Sequence, residues 1–161
     1  MTVDPVAGAL HPVEPAYRNV LRTRAALFWV PIFIGALAVR LTALEDFASA
    51  DILPVVIGLI GLSGITIAPN RVYRRLGYAI EGGLLRVVRG WLFHVDTVVP
   101  FVRVQHIDVK RGPMDKLFGT ASLVVHTAGT HNSIVTLPGL SPTRAADIRD
   151  DIRADIRTDA E

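Results

Sequence analysis

Two stretches almost free of charge, lying close together, decide what this chain can fold into. Residues 25–44 (AALFWVPIFIGALAVRLTAL) contain a single charge, Arg40, and residues 52–68 (ILPVVIGLIGLSGITIA) contain none. A helix rises about 1.5 Å per residue, so about twenty residues cover the roughly 30 Å hydrocarbon layer of a bilayer. The first stretch has that length, and the second is at the short end of the range. A core helix of a water-soluble domain keeps a polar face, and two such runs leave too little polar surface for one. Both therefore read as transmembrane helices. They also account for a composition that is 50% hydrophobic but only 7% aromatic, with a mean hydropathy of +0.40. A cleaved signal peptide is not expected, because the first run is too long, follows a polar segment and is followed by a second run.

Flanking charge orients the hairpin. Arg18, Arg22 and Arg24 precede the first run, Arg71, Arg74 and Arg75 follow the second, and Glu45, Asp46 and Asp51 lie between them. Basic flanks stay on the cytoplasmic side, so both termini are expected there, in a multi-pass protein of the cell membrane. Arg40 lies close enough to the end of its run to snorkel outward and meet Glu45 or Asp46, although a charge inside a span also raises a functional role. Gly58, Gly61 and Gly64 recur every three residues on one helix face, suited to close packing against the first run or against a partner helix.

Beyond Pro69 the texture changes to short β-branched runs broken by Gly and Pro. Gly82 and Gly83 sit between two such runs, as a two-residue hairpin with positive φ requires. In VQHIDVK (104–110), Ile107 and Val109 alternate with His106, Asp108 and Lys110; in SLVVHT (122–127), Leu123 and Val125 alternate with Val124 and His126. Gly112-Pro113 ends a strand, MDKLF leaves room for one helical turn, and Gly119 suits the left-handed residue that closes it, with Leu117 and Phe118 tucked inward. GTHNS (129–133) marks another turn. Ser141 as N-cap and Pro142 at the first helical position open a final helix, whose apolar stripe is Ala145, Ile148, Ile152 and Ile156.

The residues VVRGWLFHVDTVVPFVRVQHIDVKRGPMDKLFGTASLVVHTAG and TLPGLSPTRAADIRDDI, placed after the helical hairpin, resemble the bacterial PH-like membrane proteins of the YdbS-like group. The resemblance implies two membrane helices followed by an α+β PH-like domain, a small antiparallel β-barrel or sandwich capped by a C-terminal helix. It also implies partners of the same kind, either companion PH-like membrane proteins or further copies of the chain. The expected organisation is a cytoplasmic N-terminal segment at 1–24, a transmembrane hairpin at 25–68 (25–44 and 52–68) and a cytoplasmic PH-like domain at 69–161.

No catalytic spacing emerges. GLSG (61–64) lacks the nucleophile-elbow pattern and lies in a span, and GGLLRVVRG lacks the glycine spacing of a dinucleotide loop and the Lys-Ser/Thr of a P-loop. His126 and His131 flank a turn without a third ligand nearby, while His11, His94 and His106 are isolated along the chain. The chain has no cysteine, which excludes disulfides and thiolate chemistry. No cofactor, metal or catalytic residue is therefore expected. From Arg71 to Lys116 nine Lys or Arg face four acids, beside the membrane runs and without interleaved aromatics. That pattern speaks against nucleic acid and for membrane lipid, with Arg71, Arg74, Arg75, Lys110, Arg111 and Lys116 as candidate headgroup contacts. Ser122 to Leu137 carries no charged residue, as either a hairpin interior to the sheet or an interface would have it; if it is an edge, Val124 and Val135 mark a candidate interaction edge. The leading reading is a non-enzymatic assembly module at the inner face of the membrane. The alternatives are an anionic-lipid-binding module and, more remotely, an enzyme or transporter subunit built around Arg40.

Overall fold

The computed structural model describes residues 10–42, 51–91, 93–128 and 134–158. Glu45, Asp46, His131 and the rest of the 129–133 turn lie outside them. The chain opens with a two-residue strand, β1 (His11–Pro12), followed by α1 (Tyr17–Thr42) and α2 (Ile52–Arg74). Strands β2 (Gly77–Glu81), β3 (Leu84–Arg89) and β4 (Val95–Pro100) follow, then a 3-10 turn (Phe101–Arg103) and β5 (Val104–Lys110). A one-turn helix α3 (Pro113–Phe118), strands β6 (Ala121–Thr127) and β7 (Ile134–Leu140), and α4 (Pro142–Thr158) complete it.

Helices α1 and α2 are long and apolar enough to cross a membrane, and they pack on each other as a hairpin. The glycine face of α2 meets α1 within this hairpin. A methyl group on Gly58 would lie 3.1 Å from the Phe33 ring, and one on Gly64 would lie 2.5 Å from Trp29 Nε1. Pro54 falls in the first turn of α2, where its missing N–H has no helical partner to lose. Both helices extend beyond the apolar runs. Tyr17 and Val20 sit on the amphipathic first turns of α1 and are buried, so the helix starts inside the domain and not at residue 25. Helix α2 continues through Pro69, whose fixed φ fits a helix, as far as Arg74. Arg40 Nε donates to Asp51 Oδ1 at 2.7 Å at the end of the hairpin where α1 connects to α2.

The domain is a sandwich of two antiparallel sheets, ordered β1-β2-β3-β4 and β5-β6-β7. No ladder joins β4 to β5 among the described residues, so the sheets stay open at that corner and do not close into a barrel. Pro100 and the 3-10 turn make the corner: Pro100 lacks an N–H to extend the ladder, and the Phe101 N–H donates to Gly83 O at 2.8 Å. Gly82 and Gly83 take positive φ angles of 56° and 72° in the β2–β3 turn. Inner-face residues Leu85, Val87, Leu123, Val125 and Leu137 form the core, and Ala145, Ile148 and Ile152 of α4 close it; all eight are fully buried. Ser141 Oγ accepts from the Arg144 N–H at 3.2 Å, as its N-cap position requires. Val13, Tyr17 and Val20 complete the same core from the N-terminal side, and the Glu14 N–H donates to Gly139 O of β7 at 2.7 Å.

Between β5 and β6, α3 packs against α1. Gly119 closes it in the left-handed conformation at φ 68°. The carboxylate of Asp115, 4% exposed, accepts from the Gly112 N–H at 3.0 Å and from Thr120 Oγ1 at 2.8 Å. Phe118 packs on the core, but Leu117 is 71% exposed, because a single turn turned inward by Met114 and Phe118 leaves position 117 pointing away.

Candidate functional site

The antiparallel meander brings three separate pieces of sequence to one end of the first sheet. Gly77, the first residue of β2, is opposite Pro12 of β1 and Val88 of β3, so the end of α2, the N-terminal strand and the β3–β4 loop are neighbours. Between them lies a cleft of about 370 Å³, whose polar lining is His11, Arg74, Arg75 and His94 and whose floor is Leu76, Gly77 and Val88. Arg74 and Arg75 are exposed at the last turn of α2. Arg75 Nη1 donates to the Trp91 carbonyl at 2.8 Å, which ties the β3–β4 loop to the helix end. Between α1 and α2, the Arg18 guanidinium lies 5.8 Å from the Tyr73 ring centre, and Arg22 donates to Asn70 Oδ1 at 3.4 Å. Arg18 and Arg22 each keep a buried Nε without a hydrogen-bond partner. The two guanidinium groups of Arg74 and Arg75 on a cleft also lined by two imidazoles suit an anionic, multi-oxygen ligand, for which Arg offers several N–H donors in a planar fork.

The six cations singled out in the sequence fall into two groups. Arg71, Arg74 and Arg75 are exposed along the last turn of α2 and just past it, and the last two face the cleft. Lys110, Arg111 and Lys116 are exposed on the β5–α3 connection, next to α1. Val124 and Val135 do not present an edge. They are 5% and 2% exposed, Val125 and Val135 pair across the β6–β7 ladder, and β6 is the central strand of its sheet. The outer strands of that sheet are β5 and β7, and Ile134 at the start of β7 is 55% exposed.

His11 and His94 looked isolated along the chain, because a two-residue strand such as β1 carries no readable periodicity. The pairing of His126 with His131 across their turn lies outside the described residues, but His126 has a described neighbour. It stands opposite His106, with ring centres 5.9 Å apart, and both imidazoles approach Asp108, at 2.8 Å from His106 Nε2 and 3.6 Å from His126 Nε2. The alternation of His106 and Asp108 on one strand face was the available signal. Among the described residues no group of three such side chains is arranged to hold a metal ion. On the first sheet, the Arg86 guanidinium is hydrogen-bonded to Asp96 across β3 and β4 and holds the Asp96 carboxyl below its ordinary pKa.

A family model described as Bacterial PH domain matches residues 25–156. The transmembrane protein YdbS of Bacillus subtilis (strain 168) is 31% identical over 101 residues, a match that covers 60% of this chain and 62% of that protein's length. No solved structure matches the chain.

Proposed function

This chain belongs to the bacterial PH domain family and is a membrane-associated protein of PH-like fold, and from that premise we propose that it is a non-enzymatic, multi-pass module whose cytoplasmic domain binds anionic lipid headgroups at the end of its membrane hairpin. The observation that carries this reading is the depth of the arginine-lined cleft. Counted from Ile52, about 20 residues of α2 cross a 30 Å hydrocarbon layer and end near Arg71. Arg74 and Arg75 then lie within about 6 Å of its boundary, in the headgroup layer. Counting back from Thr42 along α1 reaches the same boundary near Thr23, level with Arg22 and Arg24. Each basic side chain near an anionic surface contributes about 1 kcal/mol of attraction. The bias of arginines to this end supports a cytoplasmic domain and cytoplasmic termini.

The test uses the full chain extracted in mild detergent from vesicles of mixed phosphatidylglycerol and phosphatidylcholine. Mass spectrometry of the retained lipid is expected to show enrichment of phosphatidylglycerol in the wild type and loss of that enrichment in R74E/R75E. Equal retention of the two lipids by the wild type would end the headgroup reading.

A second reading, assembly with other PH-like membrane proteins or with further copies of the chain, is favoured by the start of the outer strand β7, around the exposed Ile134. An edge strand that carries no charge is open to strand addition. With Val124 and Val135 buried, the docking side chain there would be Ile134, and I134K should abolish co-purification of a partner while leaving thermal unfolding unchanged.

A further inference from the structure

Outside the two long helices, the exposed large aromatic side chains among the described residues are Trp91 and Phe93, at 53% and 76% exposure. Both stand on the β3–β4 loop. A small domain gains nothing in water by presenting two aromatic rings from one loop, and such exposed apolar groups mark a contact surface. Gly90 takes φ 154°, and a methyl group there would collide with the Phe93 carbonyl, so Gly90 lies directly against the backbone of Phe93.

We infer that Trp91 and Phe93 form an interfacial wedge that inserts into the leaflet from which α2 emerges. The inference rests on the transmembrane reading of α1 and α2, and it goes beyond headgroup binding because it needs no anionic lipid. Three observations place the loop at the right depth. The β3–β4 loop is at the same end of the sheet as Gly77, three residues past α2. The Arg75 guanidinium holds the Trp91 carbonyl at 2.8 Å. Arg75 itself stands at the headgroup level when a bilayer is laid along the helix. Trp at that depth is favoured, because its ring is apolar while its N–H still reaches water and headgroup oxygens. Phe, with no polar atom, reaches deeper into the acyl boundary, to about 5–10 Å. The opposite end of the sheet provides an internal control. The β2–β3 turn is one strand length away, about 16 Å at 3.3 Å per residue, and its Glu81 is exposed.

Because the chain has no cysteine, F93C and E81C each accept one spin label in the otherwise native, full-length protein. Both are reconstituted in vesicles of phosphatidylcholine alone and of phosphatidylcholine with phosphatidylglycerol. The label at position 93 is expected to collide more with oxygen than with a water-soluble nickel chelate in both lipids, and the label at 81 is expected to do the reverse. W91S in the F93C background should move the label at 93 toward water. Water-like accessibility at 93 in both lipids overturns the wedge. Insertion that requires phosphatidylglycerol overturns it as an independent anchor and assigns the contact to the arginines. Lipid retention, measured separately on R74E/R75E, distinguishes failure of the wedge from failure of the headgroup reading.

Discussion

A fragment beginning at residue 69, which contains every strand except β1 and all of α3 and α4, should not fold to a stable domain. Val13, Tyr17 and Val20 are 2%, 5% and 0% exposed and belong to the same core as Leu85, Leu123 and Ile148. Burying a large apolar side chain contributes about 1.5–3 kcal/mol, so losing three removes roughly 5–9 kcal/mol, before any cost of the cavity left behind. Since denatured chains already bury some apolar surface, this is an upper estimate, but a domain's whole stability is about 5–15 kcal/mol. The fragment also loses the β1–β2 pairing, the Glu14 N–H to Gly139 O bond and the Tyr73 OH bond to Val13 O. The comparison is between 69–161 alone and a chimera in which residues 10–24 are joined to 69–161 by a short Gly/Ser linker replacing the hairpin. Urea unfolding and amide proton dispersion should show a cooperative transition for the chimera and a broad or absent one for the fragment. A fragment that unfolds cooperatively at the same urea concentration as the chimera would refute the claim that these residues are structural.

Replacing Gly119 with Val puts a β-branched residue at φ 68° and should destabilise the domain by about 1–3 kcal/mol without changing retained lipid, read as a fall in the thermal midpoint of the full chain in detergent. Gly64→Val forces a side chain into the space of Trp29 and should lower the stability of the helical hairpin by about 1–3 kcal/mol, with an earlier shift of tryptophan emission on heating; an unchanged melt would mean that the two helices pack through another face. The Asp96 carboxyl, held below its ordinary pKa by hydrogen bonds from Arg86, contributes stability at pH values above its unfolded pKa of about 3.9 and loses that contribution as the pH falls through the lower folded value. Unfolding of Asp96→Asn should therefore be less sensitive to pH in that acidic window than unfolding of the wild type, and parallel pH profiles would sink the assignment.

The features legible in the sequence are those whose physics is local. Gly82-Gly83 and Gly119 were readable because their φ values exclude other residues, the Ser141-Pro142 cap because it satisfies backbone donors within one turn, and the α4 stripe because its spacing repeats. The alternation of Leu123 and Val125 identified the inner face of β6. What stayed hidden depends on partners distant along the chain. Nothing in AYRNV announces that Tyr17 and Val20 pack under strands more than fifty residues later. Val124, on the opposite face from Leu123 and Val125, reads as an exposed position by alternation alone, yet it is buried on the central strand of its sheet. The cleft was half legible. Its arginines were visible as a charge cluster, but His11 and His94 join them only through the β1–β2 pairing and the β3–β4 turn.

The burial of Tyr17 and Val20 also bears on how the domain is held at the bilayer. A PH-like domain on a flexible linker would sample many orientations, and any headgroup contact would have to overcome that freedom. Here α1 is one continuous helix from Tyr17 in the core to Thr42, so its first turns are part of the domain and its later turns part of the hairpin. At the other connection only Arg75 and Leu76 separate α2 from β2, and Leu76 is buried. Both joints are packed, and the Arg22–Asn70 and Tyr73–Val13 hydrogen bonds link the helices to each other and to the N-terminal strand. Domain orientation relative to the helical hairpin is thus set by core packing, and on the readings proposed above the cleft and the Trp91–Phe93 loop would meet the leaflet without a separate search. Pre-organisation of this kind lets weak contacts of about 1 kcal/mol each add to useful affinity, because the ordering cost is met when the protein folds and not when the lipid arrives.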